Sequence, residues 1–248
     1  MGADIKTLPS GRNLDQLIAS YDVRNDPLLK PDWPALHTRI LGAIASYDRE
    51  GAAYGQKQLL PHLQRIAEDG HAFLLHLGQP EHVAYNFADA YILSDLGKIH
   101  DRYDPAIWSL PHRPTDEERQ EKRLHPGLGP EVIEMYVENQ TMHIKDHPHI
   151  ALVIPSLMCF HHERLDGTGP YKREKDTLGL VMQVAILVDV FDGDRIPRAH
   201  QDHGRTPEEA LDRMAALGED KKYEGAFDPT LLQTYRDFKL TQKETRRP

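Results

Sequence analysis

Apolar residues recur every three or four positions along most of this chain, and this spacing is the strongest constraint on its fold. Because residues three and four apart share one face of an α-helix, such a stripe predicts a helix that buries that face. Strand-like alternation is nowhere sustained. The sequence therefore predicts an all-α fold. The clearest stripes are Leu59, Leu63, Ile66, Phe73, Leu74 and Leu77, and then Ala84, Phe87, Ala88, Tyr91 and Ile92.

Further helices and the domain organisation follow from the same pattern. Residues 1–50 have prolines at positions 9, 27, 31 and 34 and predict an irregular leader with one helix ending near Tyr47, to which we assign no activity. No Ser/Gly-rich linker divides the 248 residues, so we expect one main domain at 51–240 and a polar tail at 241–248. The remaining predicted helices are 130–139, 149–162, 178–191, 207–217 and 229–238.

Composition narrows the setting in which the chain works. A single cysteine, Cys159, excludes an intramolecular disulfide and a thiolate cluster, and it favours a reducing compartment. The net charge of -9 argues against binding of nucleic-acid polymers. The richest apolar stretch, 150–160, is too short to cross a bilayer, and residues 1–12 lack a signal-peptide core. We therefore expect a soluble cytoplasmic protein without a membrane partner. Because the net charge is negative, a phosphate ligand would need a local basic pocket.

Two adjacent histidines, His161 and His162, stand out among the polar residues. They precede Glu163 and the loop sequence Asp166-Gly167-Thr168-Gly169. Imidazoles on consecutive residues leave the backbone in different directions, so the pair can serve two neighbouring metal ions. The glycines suit an irregular loop beside them. This segment predicts a metal centre.

Four metal-ligand side chains fall on the predicted inward faces of different helices. Each of them follows an apolar residue of its stripe by three or four positions. An unpaired carboxylate or imidazole in a core is costly, so four such groups need a shared partner. Any one alone would be read as a core histidine or a capping aspartate, but together they predict a divalent cation. These side chains are His62, Asp95, His161 and Asp189.

In this order and spacing, the motifs resemble those of the HD-GYP phosphodiesterases, within the HD superfamily of metal-dependent phosphohydrolases. The resemblance covers 58–235 and implies an HD-type helical bundle with two or three metal ions, usually iron or manganese. It also implies hydrolysis of cyclic di-GMP to linear pGpG or on to GMP. It rests on His62-Leu63-Gln64-Arg65, Ser94-Asp95-Leu96-Gly97-Lys98-Ile99, Thr115-Asp116-Glu117-Glu118, His125-Pro126-Gly127-Leu128-Gly129, His161-His162-Glu163 with Asp166-Gly167-Thr168-Gly169, and Val188-Asp189-Val190-Phe191-Asp192.

The resemblance also implies roles for individual residues. Asp95 would bridge two metal ions, so that a water between them attacks the phosphorus as hydroxide. Lys98 would act beside Asp95 in catalysis and in substrate binding, and Arg195 and Arg198 would bind phosphate oxygens. The implied ligands are His62, Asp95 and Asp189 at one ion, Asp95, His125 and His161 at the other, and His162 at a third ion or behind the first two.

Three positions depart from the family pattern and leave the function open. Ser94 replaces the histidine of the His-Asp pair, Gln58 replaces a glutamate of trinuclear members, and Gly169-Pro170-Tyr171 replaces Gly-Tyr-Pro. The first change removes an imidazole from one metal. The chain is therefore a phosphodiesterase with an altered centre, an impaired module that binds a cyclic dinucleotide or a protein, or an HD-type hydrolase of another nucleotide. If a separate regulatory protein binds this chain, we expect it to contact the displaced Gly169-Pro170-Tyr171 loop.

Overall fold

Helices make up the regular structure of this chain. The computed structural model describes residues 5–50, 59–108, 110–197, 203–217 and 219–245. Across these ranges the β-type pairing is a single bridge between Asp166 and Glu174, so the all-α prediction is confirmed. The described helices are α1 (Arg12–Ile18), α2 (Trp33–Glu50), α3 (Leu59–His76), α4 (Glu81–Tyr91), α5 (Asp116–Lys122), α6 (His125–Val137), α7 (Met142–Lys145), α8 (Ile154–Phe160), α9 (Leu180–Arg195), α10 (Pro207–Met214) and α11 (Pro229–Thr245).

Helices α3 and α4 pack against each other through the two predicted apolar stripes. Leu63 and Phe73 of α3 and Phe87 of α4 are completely buried. Gly70 allows the close approach, because a Cβ at this position would lie 2.2 Å from the ring of Phe87. The pair forms a rigid base for the residues that follow α4.

Helix α9 lies in the middle of the core. Apolar residues surround the whole of its central part, as expected for a helix with no solvent-facing side. Asp189 and Asp192 are the buried carboxylates within this apolar surface, so their positions need polar or charged partners. Among the described helices, none is long and apolar enough to cross a membrane.

The described part of the leader shares the main apolar core. Asn86 of α4 accepts a hydrogen bond from the Val23 N–H and donates to the carbonyls of Ile18 and Tyr21. These bonds satisfy leader backbone groups that the helices leave unpaired. Residues 5–50 therefore pack with the predicted 51–240 domain. The buried apolar residues of the leader include Leu14, Ile18, Leu29, Trp33, Ile40 and Ile44.

The histidine pair follows a buried helix with an irregular start. The predicted helix at 149–162 begins with a π-helical turn, His149–Val153, and continues as α8 to Phe160. His149 anchors this start, since its Nε2 lies 2.9 Å from an oxygen of Asp89 and its Nδ1 lies 2.8 Å from the Tyr21 hydroxyl. All residues of α8 are buried. His161 therefore follows directly after a helix, α8, that is packed on all sides.

Cys159 offers a simple check of this packing. The side chain is completely buried on α8, and burial raises the pKa of its thiol to about 12. The thiolate is the reactive form of cysteine. At mildly alkaline pH, we therefore expect the rate of reaction with Ellman's reagent to be limited by the rate at which local unfolding exposes Cys159. Denaturant should make the reaction immediate. Fast stoichiometric labelling of the folded chain would contradict the buried position.

Candidate metal centre

Asp95 lies at the centre of the candidate site. It follows α4 and begins a 3₁₀ turn, Leu96–Ile99, and it is 1% exposed. Gly97 brings this turn against the start of α6, because a Cβ there would lie 1.9 Å from the carbonyl oxygen of His125. The absence of a side chain at 97 therefore permits His125 to approach Asp95.

Three predicted histidine ligands lie around one oxygen of Asp95, which is itself a predicted ligand. The ligand atoms of Asp95, His125, His161 and His162 lie within 4.8 Å of one another. Nε2 of His125 lies 3.0 Å from Asp95 Oδ1, and Nε2 of His161 lies 3.5 Å from the same oxygen. Nε2 of His162 lies 3.1 Å from Nε2 of His125. We call these four side chains the ligand cluster.

Hydrogen bonds behind the three histidines determine which nitrogen faces the cluster. In each ring Nδ1 lies beside an acceptor, and a neutral imidazole carries a single N–H. The Nε2 atom therefore presents a lone pair to the cluster, as in metal-bound histidines. The Nδ1 acceptors are the carbonyl of Lys122 for His125, the carbonyls of Leu157 and Met158 for His161, and a carboxylate oxygen of Asp189 for His162.

The ligand cluster fits a divalent cation. Asp95 Oδ1 and His161 Nε2 are buried and have no hydrogen-bond partner among the described residues. Burial lowers the pKa of His125, and burial and the nearby His161 lower the pKa of His162 to about 3. These two rings are thus neutral at physiological pH, which is the form that binds metals. Facing lone pairs repel one another unless a cation lies between them.

A second group of ligands lies at the other oxygen of Asp95. Nε2 of His62 lies 3.6 Å from Asp95 Oδ2 and 3.5 Å from Asp189 Oδ1. Burial by itself would lower the pKa of His62, but hydrogen bonds to Asp189 and Asp192 raise it to about 9. A proton on His62 therefore supplies positive charge among these carboxylates. A cation bound there would displace that proton.

Two residues that the motif analysis left without a role hold His62 in place. Asp192 accepts a hydrogen bond from His62 Nδ1 at 2.7 Å, and Arg65 donates two hydrogen bonds to the same carboxylate at 2.7 and 2.8 Å. Such partners orient a metal-binding imidazole. The signal was present in the sequence, because Arg65 follows His62 by three residues and Asp192 follows Asp189 by three.

Lys98 lies within the candidate site. Its ammonium is 2.5 Å from Asp95 Oδ2 and 4.2 Å from the centroid of the Trp108 ring, and the residue is 9% exposed. Burial alone would raise the pKa of Asp95, but Lys98 and His125 hold it well below its usual range. Asp95 is therefore ionised and able to bind a cation. The substrate contact of Lys98 stays a prediction.

The other predicted phosphate-binding groups are the guanidinium groups of Arg195 and Arg198. Arg195 ends α9, and its guanidinium lies 5.0 Å from the centroid of the Phe191 ring. Arg198 lies outside the described residues, as does Gln58. Phosphate binding by Arg195 and Arg198 therefore stays a prediction.

Ser94 lies next to Asp95 and is completely buried. Its hydroxyl has no hydrogen-bond partner in the described parts of the chain. A buried polar group without a partner costs about 1–3 kcal/mol, so a water or another polar group at this point would be favourable. The structure thus places a small polar side chain where the HD-GYP pattern has an imidazole.

Glu163 organises the loop that follows the histidine pair. It is completely buried, and its two carboxylate oxygens accept the N–H groups of Tyr171 at 2.7 Å and Arg173 at 2.5 Å. Burial raises its pKa. Gly169 packs directly on this residue, since a Cβ there would lie 2.5 Å from Glu163 Cα. Glu163 and Gly169 therefore shape the loop.

Replacing Gly169 with alanine is expected to lower the free energy of unfolding by about 1–3 kcal/mol, because the added methyl group overlaps the Glu163 backbone. Urea denaturation followed by circular dichroism measures the change. Gly42 is the matched control: it lies on an exposed face of α2 with nothing within 4 Å of an added Cβ. Gly42→Ala should be stabilising or neutral. Equal effects of the two substitutions would contradict the described loop.

The fold and the ligand cluster define an all-α protein with a buried centre of three histidines and a carboxylate. No family model matches the chain. Among curated proteins, it is similar to the cyclic di-GMP phosphodiesterase PA4108 of Pseudomonas aeruginosa, with 27% identity over 147 residues. The match covers 59% of this chain and 31% of the relative, so it spans about a third of the length of that protein.

A solved structure has a similar fold. The chain is similar to Bd1817, an HDG"Y"P protein from Bdellovibrio bacteriovorus, with a TM-score of 0.57 and 15% identity. The superposition covers 97% of this chain and 74% of the other. The resemblance to the HD-GYP proteins and the predicted helical HD fold are confirmed.

Proposed function

We propose that this chain is a metal-dependent phosphodiesterase that hydrolyses cyclic di-GMP to pGpG, to GMP or to both. The observation that carries the proposal is the ligand cluster, in which three imidazole lone pairs and the ionised Asp95 face one point. The similarity to a protein named as a cyclic di-GMP phosphodiesterase supports this substrate. A buried site of this composition is suited to a divalent cation and to the displacement reactions that such cations assist.

The proposed cofactors are two divalent cations, iron or manganese. The ligand cluster would hold one of them, and His62, Asp95 and Asp189 would hold the other. Bound cations lower the pKa of a water that attacks phosphorus and neutralise charge on the phosphate oxygens. Nitrogen and oxygen donors suit both metals. With three ligands and no imidazole at position 94, the second position is the weaker of the two.

The side chains around the cations have separate tasks in this proposal. Asp95 uses one oxygen towards the ligand cluster and the other towards His62, which fixes the spacing between the two positions. Lys98 places an ammonium beside Asp95, where it stabilises negative charge that develops on the phosphate. Arg195 and Arg198 are proposed to bind non-bridging phosphate oxygens. Asp192 keeps Nδ1 of His62 occupied, so that Nε2 faces the site.

The proposed partners follow from the same chemistry. A cyclic dinucleotide is the small-molecule partner, and a separate regulatory protein is proposed to contact the Gly169-Pro170-Tyr171 loop. The net charge of -9 opposes binding of nucleic-acid polymers. We propose a cytoplasmic location, in keeping with a single buried cysteine.

The direct test incubates the full chain, loaded with Mn²⁺ or anaerobically with Fe²⁺, with cyclic di-GMP and separates the products by chromatography. We expect pGpG or GMP to form, EDTA to stop the reaction and added metal to restore it. A panel with other cyclic dinucleotides and a simple phosphodiester tests the HD-type hydrolase alternative. Tight binding of cyclic di-GMP without hydrolysis would favour the impaired binding module over an enzyme.

A further inference from the structure

The chain between Lys98 and His125 lies against the ligand cluster. Its described residues have a small apolar core of their own, formed by Tyr103 and Ile107 with Leu128 of α6. The ring of Tyr103 lies 5.8 Å from the ring of His125, and the ring of Trp108 lies 6.2 Å from it. This segment therefore forms a wall beside the predicted metal ligands.

Two ammonium groups lie over the indole ring of Trp108 in this wall. The Nζ atoms of Lys98 and Lys122 lie 4.2 and 5.0 Å from the ring centroid. Lys122 is also joined to the ligand cluster through its backbone, because its carbonyl accepts the Nδ1–H of His125 at 2.5 Å. The backbone of Lys122 thus orients His125, and its ammonium lies at the wall beside Trp108. Motif spacing assigns Lys122 no role.

The arrangement concentrates positive charge in an acidic protein. The chain has a net charge of -9, yet two cations share one indole beside the ligand cluster. The ring attracts both ammonium groups, and Lys98 is also paired with Asp95. An anionic oxygen within reach of both ammonium groups would gain charge-assisted hydrogen bonds from them.

We propose that Lys122 and Trp108, with Lys98, form a clamp for a phosphate group of the substrate, which is a nucleotide phosphate ester. The proposal rests on the proposed function for the identity of the ester. Trp108 holds the two lysine side chains and presents an apolar edge to the adjoining sugar or base. The clamp adds to the predicted arginines, of which Arg195 lies over Phe191 at the end of α9.

Intrinsic fluorescence can test the clamp, because the chain has two tryptophans. Trp33 is 2% exposed and donates a hydrogen bond to Asp89, whereas Trp108 lies in the proposed clamp. The full chain is titrated with inorganic phosphate at constant ionic strength and in EDTA, so that no divalent ion contributes. We expect phosphate to change the emission, and we expect Trp108→Phe to abolish that change.

Substitutions of Lys122 separate the clamp from general electrostatics. Lys122→Met keeps the length of the side chain and should weaken phosphate binding about tenfold, while Lys122→Arg should retain most of it. Lys145 is the matched control, since it is also half-buried and its ammonium binds the carbonyl of Glu138 on another face. Lys145→Met should leave phosphate binding unchanged. Circular dichroism confirms folding of each variant.

Equal phosphate affinity in Lys122→Met and the unmodified chain would overturn the clamp, as would a phosphate response that survives in Trp108→Phe. In the metal-loaded chain, Lys122→Met should raise KM for cyclic di-GMP about tenfold with a smaller change in kcat, which is the signature of a binding residue. Phosphate binding is measured without metal or turnover. A clamp that works in a chain without hydrolysis would therefore contradict the proposed function alone.

Discussion

Replacing Asp95 with asparagine is expected to remove the bound metal and to reduce hydrolysis of cyclic di-GMP by about a thousandfold or more. The reason is that one carboxylate faces the ligand cluster with Oδ1 and His62 with Oδ2. Asparagine has nearly the same size, but it is uncharged and presents an amide N–H where a cation would need an oxygen. That N–H can donate to the lone pair of His125, so the chain should remain folded. Elemental analysis and product chromatography measure the two effects.

A matched control distinguishes a metal ligand from a buried carboxylate in general. Asp69 is also part of an ion pair, here a half-buried one, because it accepts hydrogen bonds from Tyr235 and Lys239, which join α3 to α11. Asp69→Asn should lower stability and leave metal content and turnover close to those of the unmodified chain. Retention of metal and turnover in Asp95→Asn would show that the ligand cluster is not the catalytic centre.

Replacing Ser94 with histidine is expected to tighten the weaker metal position by about ten- to a hundredfold. The hydroxyl of Ser94 is buried without a described partner next to Asp95, and an imidazole would add a fourth ligand to His62, Asp95 and Asp189. At limiting metal, we expect roughly one ion per unmodified chain and roughly two per variant chain. Elemental analysis after dialysis measures the difference.

Ser94→Ala is the control for this substitution, because it removes the hydroxyl and adds no ligand. Its metal content should not exceed that of the unmodified chain. A rise in turnover in Ser94→His, together with the second ion, would identify the natural chain as an impaired member of the HD-GYP type. Unchanged turnover in a chain that already binds two ions would instead indicate a working centre of altered composition. Identical metal content in the histidine and alanine variants would contradict the assignment of the weaker position.

The sequence could predict the helices and several inward-facing ligands, because both depend on local spacing. The stripe that contains Leu63 and Ile66 also places His62 on the buried side of α3, and the apolar length of α9 does the same for Asp189. Resemblance to the family was needed for His125, which opens α6 and belongs to no clear stripe.

Other features depend on contacts between distant segments and have no local signature. Both carboxylate oxygens of Glu163 accept backbone N–H groups of the following loop, which its sequence position does not reveal. A loop carries no periodicity that would reveal such partners. In the same way, α1 is too short to show a stripe, and its last residue, Ile18, accepts a hydrogen bond from the distant Asn86. The proposed role of Lys122 likewise depends on the approach of Trp108, which is distant from it in sequence.

Anomalous diffraction from crystals grown with Mn²⁺ tests the central claim most directly, because it locates the ion independently of activity. We expect the strongest anomalous peak between Asp95, His125, His161 and His162, and a weaker peak beside His62 and Asp189. A map without a peak in the ligand cluster, or with these side chains apart and the ion bound elsewhere, would contradict the proposed centre.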